Sequence, residues 1–126
     1  MFLLAGLPYS GEVLSLAPHY ARLEINKDQD FTEVSESIRA LLQLCRLNAY
    51  RAAVVVSDQE PFDWRSSLRV SIRFSASRAP MPQMKLALVT RHNNAGVVND
   101  VCAVAREAGL ECEVFWNEAE AIAWIA

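Results

Sequence analysis

Ala52-Ala53-Val54-Val55-Val56-Ser57 and, further along, Leu86-Ala87-Leu88-Val89-Thr90 decide the fold. Each is a short apolar run with no polar residue before its last position. A half-buried strand alternates apolar with polar side chains, whereas a strand covered on both faces does not. The two runs are therefore expected to be neighbouring parallel strands at the centre of a sheet roofed above and below. Parallel neighbours need a crossover connection, normally a helix. The segment between them, Phe62 to Ser75, is ambiguous on its own. Leu68, Val70, Ile72 and Phe74 alternate with Arg69, Ser71, Arg73 and Ser75, as in a strand. At helical spacing, Arg65, Arg69 and Arg73 fall on one stripe, and Ser67, Ser71 and Ser75 on another inside the apolar arc. The crossover requirement selects the helix.

Working outward, Glu12–Ala17 and Tyr20–Ile25 read as imperfect strands broken by Pro18-His19. Asp30 is a good N-cap, and Glu33 three positions later forms a capping-box pair with it. Val34, Ile38, Leu41, Leu42 and Cys45 then repeat at helical period, with Asn48 as the stop. Ser77 to Met84, with Pro80 and Pro82, reads as a loop. Asn94 can cap the next helix, which carries Val97, Val101, Val104, Ala105 and Ala108 on one face and Gly109 just past its end. Glu111–Trp116 follows as a strand. Asn117 caps a final helix whose first-turn Glu118 and Glu120 suit the positive end of the helix dipole. Ala121, Ile122, Trp124 and Ile125 are its expected buried side, and Trp116 is expected in the core. The expectation is an α/β fold: a single open, mostly parallel sheet of four to five strands with helices on both faces, one domain over residues 1–126.

Composition narrows the function classes. With 52% hydrophobic residues in 126, a core forms without disulfides or a structural metal. Cys45, Cys102 and Cys112 are an odd set with no Cys-x-x-Cys pair, each in an apolar segment. Buried thiols in a reducing compartment are expected. The apolar Met1–Pro8 stretch lacks the basic flank and cleavage-like tail of a secretory signal, and no run is long enough to span a bilayer. A cytoplasmic chain with no transmembrane segment is expected. The balance of 12 Lys+Arg against 15 Asp+Glu, net −3, argues against a nucleic-acid binder. His19 and His92 have no His or Cys at ligand spacing, so no metal is expected. There is no Gly-x-Ser-x-Gly, phosphate loop or Gly-x-Gly-x-x-Gly, so neither catalysis nor a cofactor is expected.

The closing stretch from Val104 to Ile125 runs through a helix, a strand containing Val114-Phe115, and a short helix that opens at Glu118 and ends in Ala123-Trp124-Ile125. In this order of elements it resembles the end of small bacterial STAS-like proteins, relatives of the anti-sigma-factor antagonist SpoIIAA. The order of elements from Tyr20 onward is similar too. The resemblance implies a βαβ-type sheet domain, non-enzymatic as a rule, that docks a partner protein; some members are switched by serine phosphorylation. In the antagonists the switching serine lies in an Asp-Ser-Ser-Gly-type turn after the central strand. Here Trp64-Arg65 separates Asp63 from Ser66-Ser67, and Leu68 stands where the glycine would follow. Phosphoregulation is not carried over.

Two surfaces are candidates. One is a docking face on the Phe62–Arg73 helix, made by Trp64 as an exposed interface aromatic and the Arg65, Arg69, Arg73 stripe, extended by Arg78. Arginine forks suit an acidic partner protein, and the chain is also a candidate homodimer. The other is a rim at the carboxyl ends of the strands, made by Ser57, Asp58, Arg91 and His92 beside Asn93 and Asn94. Open α/β sheets bind ligands there, and an anionic or lipid-like molecule is the alternative partner.

Overall fold

A computed structural model describes residues 13–16, 20–59, 61–78, 83–90 and 95–126. In chain order the elements are β1 (Val13–Leu16), β2 (Ala21–Ile25), α1 (Phe31–Asn48), β3 (Ala52–Ser57), α2 (Pro61–Arg78), β4 (Lys85–Thr90), α3 (Ala95–Glu107), β5 (Glu111–Phe115) and α4 (Glu118–Ile125). The two apolar runs are β3 and β4. They pair in parallel, with Val54 opposite Ala87 and Val55 opposite Leu88.

One five-stranded sheet has the order β1-β2-β3-β4-β5, parallel from β2 to β5 and antiparallel at β1. Each parallel strand is laid beside its predecessor, so the three crossover helices turn the same way and land on one face. There Ala53, Val55, Leu86, Leu88, Leu23 and Ile25 meet Ile38, Leu41, Leu68, Ile72, Val101 and Ala105 in one buried cluster. The opposite face of β3 and β4, Val54, Val56, Ala87 and Val89, packs on Ala121 of α4, with Tyr20, Phe115, Trp124 and Ile125 at the margin. Helices cover both faces, but unequally: three on one side and one short helix on the other.

The segment Phe62 to Ser75 is helical, within α2, and its serine stripe forms a helix–helix seam. The Ser67 hydroxyl donates to the Phe31 carbonyl (3.3 Å) and the Ser71 hydroxyl to the Ser35 carbonyl (3.1 Å). Both bonds share one sequence offset, so α1 and α2 run side by side in register. Small side chains there let the backbones approach, while Leu68 and Ile72 face the sheet. Asp30 caps α1 in a full capping box: its carboxylate accepts from Glu33 N–H (2.8 Å), and Glu33 accepts from Asp30 N–H (3.0 Å). Past Asn48, Ala49 ends α1 in the left-handed region at φ 56°. Gly109, at φ 99°, turns the chain out of α3, a conformation that favours a residue without Cβ.

Some expectations are corrected. Trp116 is 48% exposed rather than core, because it lies one residue beyond Phe115, the last paired position of β5. In α4 only Ala121 is buried; Trp124 and Ile125 are half-buried and Ile122 is exposed, since one short helix covers a sheet face only along a narrow strip. Ser77, expected to open a loop, lies within α2, which continues to Arg78; residues 79–82 of that expected loop lie outside the described residues. Pro18-His19 and the Asn94 cap lie outside the described residues. Among the described residues, no helix is long and apolar enough to cross a membrane.

Candidate functional site

In the three-helix layer α2 is the middle member, packed against α1 and α3 and seated on the sheet. Its remaining side carries Ser66, Val70, Arg73 and Ser77, all exposed and spaced as one helical stripe, with Phe74 beside it. Val70 is 51% and Phe74 43% exposed, one helical turn apart. The Arg39 guanidinium of α1 lies 5.3 Å from the Phe74 ring centroid, so the aromatic member of the pair sits under a cation.

The arginine stripe expected from sequence is not one uniform solvent face. Arg73 is exposed, whereas Arg65 and Arg69 are half-buried and engaged in contacts of their own. Trp64 requires a correction. It is fully buried, in the same cluster as Leu68 and Ile72, because positions four and eight residues apart share the sheet-facing side of α2. Its charged sequence neighbours belong to other faces of the helix. The residues missed at this surface are Val70, Phe74 and Arg39. The signal for the first two was an i, i+4 apolar pair, hidden by the strand-like alternation of the segment.

At the carboxyl ends of the strands, Ser57 lies opposite Ile25 and Thr90, and all three are fully buried. The Ser57 hydroxyl accepts from Gln59 N–H (3.1 Å). Gln59, itself 5% exposed, donates from its amide nitrogen to the carbonyls of Asn26 (2.9 Å) and Gln29 (2.8 Å). The Gln29 side chain in turn accepts from Asn26 N–H (2.6 Å). These bonds stitch the loop after β2 to the loop after β3. Asp58 is half-buried, and its N–H donates to the Ile25 carbonyl (3.1 Å). The structure therefore brings Ser57 and Asp58 together in an internal plug. Arg91, His92, Asn93 and Asn94 lie outside the described residues. Gln59 was missed in sequence because its partners belong to a distant loop.

At the other end of the sheet, a groove of 510 Å³ lies among Arg51, Lys85, Glu111 and Ile125. Lys85 is already committed there: its ammonium donates to the Trp124 carbonyl (3.0 Å) and lies 5.2 Å from that indole's centroid. Among the described residues, no group of three or more His, Cys, Asp or Glu side chains could hold a metal ion. No known family model matches the chain, and neither a curated protein nor a solved structure matches it.

Proposed function

We propose that the chain is a non-enzymatic interaction domain of STAS-like type, and that it docks a partner protein on the outer side of α2. The observation that carries this reading is the exposed Val70–Phe74 pair, with Arg39 over the Phe74 ring, on a helix whose other sides are packed. Aromatic and aliphatic anchors ringed by arginine suit a partner segment that presents apolar side chains flanked by carboxylates. Arg73 and Arg39 are the cations such a segment would meet, a local exception on a chain of net charge −3. The STAS-like part of the reading rests on the closing-stretch resemblance and on the shared order of elements.

The test replaces only exposed groups: Val70→Ser, Arg73→Glu and Phe74→Ser together. Capture of a protein partner should fall at least about tenfold, the equivalent of about 1.4 kcal/mol, with the thermal midpoint nearly unchanged. Capture should also weaken with salt. A partner held equally well by the triple variant would overturn the reading. A dimer of the chain itself, dissolved by the same variant in sedimentation, would make the occupant a second copy. The ligand-crevice reading lacks comparable support, because Ser57 and Gln59 are hydrogen-bonded to the chain. It would be favoured by a thermal shift with phosphates or fatty acids that Asp58→Ala abolishes and the triple variant keeps.

A further inference from the structure

Cys102 of α3 and Cys112 of β5 face each other across the layer between helix and sheet. Both are 1% exposed. The Cys112 S–H donates to the Cys102 sulfur at 3.0 Å. A disulfide needs about 2.0 Å between sulfurs, so a shift of roughly 1 Å would bring them to bonding distance. The intervening chain already holds this geometry. It leaves α3, turns at Gly109 and enters β5, and the Arg106 guanidinium donates back to the Cys112 carbonyl (2.8 Å). Cys45, the third thiol, lies on α1, on the far side of α2 from α3.

We propose that Cys102 and Cys112 are a redox-modifiable pair, converted by a small neutral peroxide into an intramolecular disulfide that ties β5 to α3. One thiol gives up its proton and its sulfur attacks a peroxide oxygen. The O–O bond breaks, leaving a sulfenic acid and one water. The second sulfur then attacks the sulfenic sulfur, the S–O bond breaks, and the departing hydroxide takes the second thiol proton as a second water. Two electrons pass from the sulfurs to the peroxide, and one S–S bond forms. Burial determines the class of oxidant: hydrogen peroxide is small enough to enter with a local opening at β5, an edge strand of the sheet, whereas a bulky disulfide is excluded. The hydrogen bond to Cys102 and the apolar surroundings raise the Cys112 thiol well above its ordinary range, so thiolate attack is slow and waits on that opening.

The test exposes the full chain to hydrogen peroxide, blocks remaining thiols under denaturing conditions and maps peptides without reduction. The expected product is a monomer lighter by about 2 Da, for the two hydrogens lost. Its peptides containing residues 102 and 112 are linked, Cys45 remains blockable, and dithiothreitol reverses the change. Oxidised glutathione, a bulky disulfide, should leave both thiols reduced in the folded chain. Cys45→Ala should keep the product, while Cys102→Ala and Cys112→Ala should each lose it. The wild-type peptide map decides the matter even where a variant folds poorly. Two intact thiols after peroxide, oxygenated sulfurs, a link through Cys45 or an intermolecular bridge would each overturn the proposal.

Discussion

Ser35 and Ser71 show how two identical side chains can have opposite consequences. Ser71 donates its hydroxyl to the Ser35 carbonyl across the α1–α2 seam. The Ser35 hydroxyl is buried without a hydrogen-bond partner among the described residues. Ser71→Ala should cost about 1 kcal/mol and leave a buried carbonyl one bond poorer, whereas Ser35→Ala should be neutral or stabilising, as urea unfolding would measure. The thiols add a pH effect. Burial pushes Cys45 from an ordinary 9.0 up to about 12. Below pH 9 both folded and unfolded chains keep this proton, so its contribution is fully present. Above pH 9 the unfolded chain ionises first, and stability falls by about 1.4 kcal/mol per pH unit until the folded thiol also titrates. Cys112, raised in the same direction, adds to the fall. Cys45→Ala should flatten the decline of the urea midpoint between pH 9 and pH 11; an unchanged slope would refute the assignment. The serine stripe was visible in the sequence, but its acceptors were not, since they are backbone carbonyls of another helix. Trp64 was misread for a related reason: its neighbours in sequence are polar, while the face of α2 it occupies is decided by Leu68 and Ile72.

Among the four helices, α4 is the most lightly held. Ala121 is its single buried residue, and its first turn is tied to β2 by Arg22, whose Nε and guanidinium NH2 reach the Glu118 carboxylate at 2.5 and 3.0 Å. Arg22 also pairs with Glu24 at 2.8 Å. A two-pronged, half-buried pair exceeds most surface bridges, so Glu118→Gln should cost about 1 kcal/mol. The loss should be local: α4 amides exchange faster and Trp124 emission shifts to the red, while α1–α3 keep their protection. Uniform loss of protection would mean that α4 is part of the cooperative core. The Asn117 cap was readable because capping is local, and its side chain does accept from Glu120 N–H at 2.9 Å. The tie to Arg22 was not readable, because nothing in the spacing of residues 96 apart marks a contact.

Strand order, unlike strand identity, is a global property, and this limits what the apolar runs could disclose. They identified β3 and β4 as central and parallel; their lack of alternation required cover on both faces without saying which helix supplied it. Sequential order concentrates the core beneath α1–α3 and leaves β5 as a sheet edge whose outward groups are the exposed Glu111 and Glu113. Carboxylates on an edge discourage a second sheet from pairing there, because they would be brought against like charges in a low-dielectric contact. Among the described residues, Arg106 offsets one of them, at 3.2 Å from Glu113. Replacing both by threonine, which suits a strand, should leave the monomer folded and turn β5 into a site of strand-to-strand association. Light scattering should then show a concentration-dependent rise in mass, insensitive to the triple change on α2. If the doubly substituted chain instead stays monomeric, edge charge is not what keeps β5 unpaired, and the geometry at Trp116, exposed just past the strand, becomes the next place to look.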